Sequence, residues 1–104
     1  MTYYIVEDIK NLLGEKGQTN DQKVKLYGEM ADAFINTDLI SVEETVPLTT
    51  VPDVIRKISN LLAVSYFFKF ESGDLLTAVS AEELWGRYFI AQYKRPKVIA
   101  SVGV

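Results

Sequence analysis

The sequence predicts an all-α fold: a small four-helix bundle, its first helix short, with a long extended loop and a C-terminal arm. Three observations point there. Apolar residues recur at three- and four-residue spacing in four separate stretches. Three hydroxyl residues each stand three positions ahead of an acid or amide, the pattern that caps helix N-termini. Prolines fall at the edges of those stretches rather than inside them.

The first helix places Ile5, Ile9, Leu12 and Leu13 on one side, and Gly14 is its natural C-cap. Thr19 with Gln22 opens the second, where Val24, Tyr27, Ala31, Phe34 and Ile35 form a stripe. "DLISVEETVPLTTV" alternates in part and carries β-branched residues, so it is expected to run extended, as a small hairpin. Thr50 with Asp53 opens the third helix, and Pro52 suits a first turn where its missing N–H is not needed. Its stripe is Val54, Ile55, Ile58, Leu61, Leu62 and Phe68. Ser80 with Glu83 opens the fourth, with Leu84, Trp85, Tyr88 and Ala91 as the stripe and Pro96 marking the end. "ESGDLLTAVS" is then a loop. Residues 1–97 form the helical domain, and 98–104, inside "KVIASVGV", form an apolar β-prone arm.

Composition narrows the function classes. A chain of 104 residues holds one domain, and 48% hydrophobic content suffices for a core. With no cysteine and no histidine, disulfides, thiolate chemistry, Cys/His zinc sites and imidazole catalysis are excluded. A net charge of −3 gives no electrostatic reason to bind bulk nucleic acid or an anionic membrane. The opening "MTYYIVEDIK" lacks the basic start and apolar stretch of a secretory signal. The longest apolar run, "LLAVSYFF", falls far short of the roughly 20 residues a spanning helix needs.

Motifs for chemistry are equally sparse. "GEKG" has neither the length of a phosphate-binding loop nor its Lys-Ser/Thr ending. The acidic pairs Glu7-Asp8 and Glu82-Glu83 are helix neighbours that do not face one another, so they make poor metal clamps. Glu82 and Glu83 also sit where acids favour a helix N-terminus. "KRPK", with Lys94, Arg95 and Lys97, reads as cations complementing a helix C-terminus. No catalytic residue, metal ligand or cofactor is assigned.

The apolar surplus is the remaining signal. Val64, Phe67 and Phe70 lie off the third stripe, and Phe89, Ile90 and Tyr93 lie off the fourth. Either the bundle and its long loop cover them, or neighbouring copies do. The reading taken is the second, with Tyr66, Phe67, Phe70, Phe89 and Tyr93 as intersubunit packing residues.

The order of these residues resembles the small Mu-like phage and prophage proteins of the head–tail connector (adaptor) class. That family shows Pro-Leu…Val-Pro leading into a long helix that ends in aromatics, then Arg-Tyr-x-x-Ala in the last helix. Here the matching positions are Pro47, Leu48, Val51, Pro52, Ile55, Ile58, Ala63 and Tyr66, then Arg87, Tyr88 and Ala91. "YYIVEDIKNLLG" resembles the family's short first helix with its acidic pair. Two segments depart from the pattern. "ESGDLLTAVS" is more apolar than the family's loop, and "RPKVIASVGV" replaces its continuous helix end.

The resemblance implies a structural, non-enzymatic virion neck protein, made in the host cytoplasm. It would form a ring, commonly dodecameric, under the portal, extend the DNA channel and receive the next neck or tail-completion protein. DNA would only pass through, and no membrane is involved. On this reading Glu43 and Glu44 face the channel, although a solvated loop tip accounts for them equally well. Val98, Ile99, Val102 and Val104 would add as a strand to the portal. The rivals are a head-closure or tail-completion role in the same neck, and a helical regulatory or nucleic-acid-binding domain. The last would need a basic recognition helix, and none is visible.

Overall fold

The computed structural model describes residues 2–14 and 21–94, apart from the side chains of Leu75 and Thr77. Among them four helices follow in order: α1 (Val6–Leu13), α2 (Asp21–Ser41), α3 (Asp53–Ser72) and α4 (Leu75–Tyr93). The all-α expectation holds. The expected hairpin does not, because α2 continues to Ser41 and the described residues form no strand.

α3 is the centre of the bundle and packs against each of the other three helices. That position explains why its middle is apolar on nearly every side. Ile55, Ile58, Leu62, Ala63, Val64, Tyr66 and Phe67 are all buried. The polar residues buried among them have partners, as burial of a hydroxyl or amide requires. Ser65 donates its hydroxyl to the Leu62 carbonyl at 2.6 Å, and Ser59 donates to Asp32 Oδ1 at 2.8 Å. Trp85 on α4 is fully buried, and its Nε1–H donates to Asp38 Oδ2 on α2 at 2.7 Å.

Helix ends differ from the capping expectations in two places. Pro52, not Thr50, occupies the α3 N-cap position, and no side chain caps it. Ser80 lies inside α4, where its hydroxyl bonds back to the Leu76 carbonyl at 3.1 Å, and Glu82 and Glu83 are mid-helix too. The cause is the glycine before them. Gly73 adopts the left-handed conformation (φ 72°) and closes α3 with bonds from its own N–H and that of Asp74 to Lys69 and Phe68 carbonyls. The chain then enters α4 at once, so "ESGDLLTAVS" is mostly helix. Starting five residues earlier, α4 buries Ala78, Ala81, Trp85 and Phe89. Leu84 and Ala91, expected on the stripe, are exposed.

Gly14 ends α1 at positive φ, as expected. The remaining expected cap, at Thr19, lies outside the described residues.

Candidate interaction surface

A strap made by the N-terminal segment holds the bundle's first half. Gly28, Asp32 and Asn36 on α2 are spaced four residues apart and so form one track along the helix. The Tyr4 ring lies directly on Gly28, where a Cβ would meet ring atoms at 2.6 Å. The Tyr3 N–H donates to Asp32 Oδ2 at 3.0 Å, and the Tyr3 hydroxyl donates to Asn36 Oδ1 at 2.6 Å. That same hydroxyl accepts the Leu48 N–H at 3.0 Å, tying the 42–52 loop to the strap. On α3, Arg56 donates to the Tyr3 carbonyl at 3.2 Å and Asn60 Oδ1 accepts the Ile5 N–H at 2.9 Å.

Burial pushes the Asp32 carboxyl above its usual range, although the Tyr3 and Tyr4 backbone and the Ser59 hydroxyl bond to it. Burial likewise raises Tyr3, Tyr4, Tyr27 and Tyr93. Tyr66 is pushed up to about 12, first by burial and then by the Glu82 carboxylate. Glu71 moves the other way, held down by hydrogen bonds from Lys23 and Tyr27. These groups hold the fold. None of them lines the open groove between α1 and α3.

The residues expected to pack between subunits separate into two sets. Tyr66, Phe67 and Phe89 are only 6%, 5% and 5% exposed, within the chain's own core. The expectation fails for those three. Phe67 meets the edge of Tyr27, and Phe89 lies against Trp85 and Tyr93, because α2 and α4 close over α3. A stripe read from one helix cannot show that neighbouring helices cover its other faces. Tyr93 is half-buried, while Phe70 keeps 53% of its surface, stacked on Tyr27.

Glu43 and Glu44 are exposed on the turn that ends α2. Their N–H groups bond to the Ile40 and Leu39 carbonyls, and Glu43 takes a left-handed φ of 65°. Lys94 lies over the Phe89 ring, 5.7 Å from its centre. Arg95, Lys97 and the arm residues Val98, Ile99, Val102 and Val104 lie outside the described residues.

Exposed apolar residues are spread over the surface, Leu26, Ile40, Phe70 and Leu84 among them, and two groups share a face. One joins α1 and α3: Leu12 and Leu61 line an open groove of about 460 Å³, together with Asp8, Asn11, Lys57 and Asn60. Ile5 and Val54 add further exposed apolar surface on the same two elements. Among its polar lining residues, Asn60 is already bonded to Ile5 and, at 3.4 Å, to Asp8. The other strip is the outer face of α4, with Leu76, Val79 and Ile90 exposed. Among the described residues no three acids gather to hold a metal ion, and no helix is long and apolar enough to cross a membrane.

No family model, curated protein or solved structure matches the chain.

Proposed function

We propose that this chain is a structural neck protein of a tailed virus or prophage, a head–tail adaptor assembling as a ring beneath the portal. The observation that carries the proposal is a bundle whose buried side-chain polar groups, among the described residues, are bonded internally, while part of its exposed apolar surface lies along the α1–α3 groove and along the outer face of α4. Such strips are what a protein that works by contact needs. The family resemblance supports the reading and is where the neck role comes from. Pro52 stands at the α3 N-cap, and Leu48 in the preceding loop is held by the Tyr3 hydroxyl. The family-like Arg87 and Ala91 face outward on α4.

In this role the protein catalyses nothing and needs no cofactor. It bridges the portal and the next neck protein, and DNA passes through its ring without being read. Residues 98–104 are the proposed portal contact, and Glu43 and Glu44 the proposed channel-facing acids. Deleting the gene from its replicon tests the role. Separate DNA-filled heads and free tails are expected, and intact particles at normal yield would refute it.

A further inference from the structure

The two apolar strips differ in shape and lie on elements that pack on α3 separately. The α4 strip is a ridge: Leu76, Val79, Glu83, Arg87 and Ile90 follow at spacings of three and four and therefore share one face. The α1–α3 strip is a groove, lined by Leu12 and Leu61 together with Asp8 and Lys57. Each strip thus combines apolar residues with one acid and one base. Glu83 and Arg87 have no ion-pair partner among the described residues, and Lys57 has only the exposed Asp53 one turn away.

We propose that the α4 ridge of one copy seats in the α1–α3 groove of the next copy, head to tail. Glu83 then meets Lys57 of the neighbour, Arg87 meets its Asp8, and Leu76, Val79 and Ile90 cover its Leu12 and Leu61. Helix-in-groove docking of this kind uses anchors on one helix face. Here Leu76 and Val79 form one apolar anchor and Ile90 a second, with Glu83 and Arg87 between them on the same face. A contact between two different faces leaves one free face at each end of every pair. It therefore propagates, and closes into a ring if the rotation between copies allows. The inference deepens the adaptor reading, on which its ring geometry rests.

The test uses the purified full chain and two variants, Leu61→Glu in the groove and Ile90→Glu on the ridge. Both residues are exposed, so the fold should survive, as circular dichroism can verify. If either variant loses helicity, Lys57→Glu and Arg87→Glu replace the pair. In sedimentation equilibrium the unaltered chain should associate beyond dimers, and each variant alone should stay monomeric. An equimolar mixture of the two should form one-to-one heterodimers and nothing larger, since one intact ridge and one intact groove remain. A variant that associates like the unaltered chain, or a mixture that stays monomeric, would overturn the proposal. So would an unaltered chain still monomeric at about 1 mM, where even contacts worth only ~4 kcal/mol are half formed. An α4-to-α4 dimer would also refute it, shown by loss of association in the Ile90 variant but not in the Leu61 variant. None of these failures touches the adaptor reading, which stands or falls on the protein's place in the particle.

Discussion

Gly28→Ala puts the strap to a direct test. A Cβ at this position would stand 2.6–2.7 Å from Cγ, Cδ1 and Cδ2 of Tyr4, at the root of a ring that is almost fully buried. Ordinary carbon contacts lie at roughly 3.5–4.0 Å, so the ring must retreat by about 1 Å or leave. Overpacking of that kind costs about 1–3 kcal/mol. Alanine in a helix interior returns about 0.5–1 kcal/mol over glycine. The balance is a loss of about 0–2.5 kcal/mol, centred near ~1 kcal/mol, which is roughly 4–8 °C in melting temperature for a domain of this size. With Tyr4→Ala in the background, the obstacle is gone and only the helix term remains. Gly28→Ala should then raise stability by about 0.5–1 kcal/mol. Urea unfolding followed by far-UV circular dichroism measures both. The reasoning fails if the substitution has the same sign with and without the Tyr4 ring.

Further outcomes follow from the same contacts. Glu43 has a left-handed backbone at a helix end that favours glycine, so Glu43→Gly should stabilise by about 1 kcal/mol in the same urea assay. Asp32 has a raised folded-state pKa, so its contribution is greatest at low pH and declines as pH rises through that value. The stability gap between the unaltered chain and Asp32→Asn should therefore widen as pH falls toward the unfolded aspartate range; a gap that narrows would contradict it. Tyr66 is also raised, so the stability it supplies is complete below 10 and is lost between 10 and about 12. Tyr66→Phe should flatten the alkaline fall by one proton's worth of slope. Deleting residues 98–104 should leave the melting midpoint unchanged yet abolish attachment to DNA-filled heads.

Sequence and structure agree on the four helices and on the end of α1. Helical spacing marks each of the four helices, and Gly14 marks the end of α1. The start of α4 escaped because Ser80 with Glu83 mimics a cap, while the true signal was the stop at Gly73 followed by Asp74. That error turned the expected stripe, and it made Phe89 look like surplus when it is core. Phe67 and Tyr66 were misread for a different reason: a central helix is covered from several sides, and only tertiary packing shows by what. The strap was harder still. Tyr3 and Tyr4 belong to no helix, and their partners on α2 and α3 are 24 to 53 residues away along the chain. A trace was nevertheless present in Gly28, Asp32 and Asn36, a small or polar track beside the apolar stripe of α2. Of the candidate surface, Ile90 was visible as an off-stripe residue. The groove was not, because it needs α1 and α3 to be set side by side.

The central claim concerns where this four-helix bundle sits, and cryo-electron microscopy of DNA-filled particles from the replicon that encodes it measures that directly. The account predicts a closed ring of four-helix bundles between the portal and the tail, with α4 of each copy against α1 and α3 of the next. Particles whose portal and tail join with no density for this chain would contradict it.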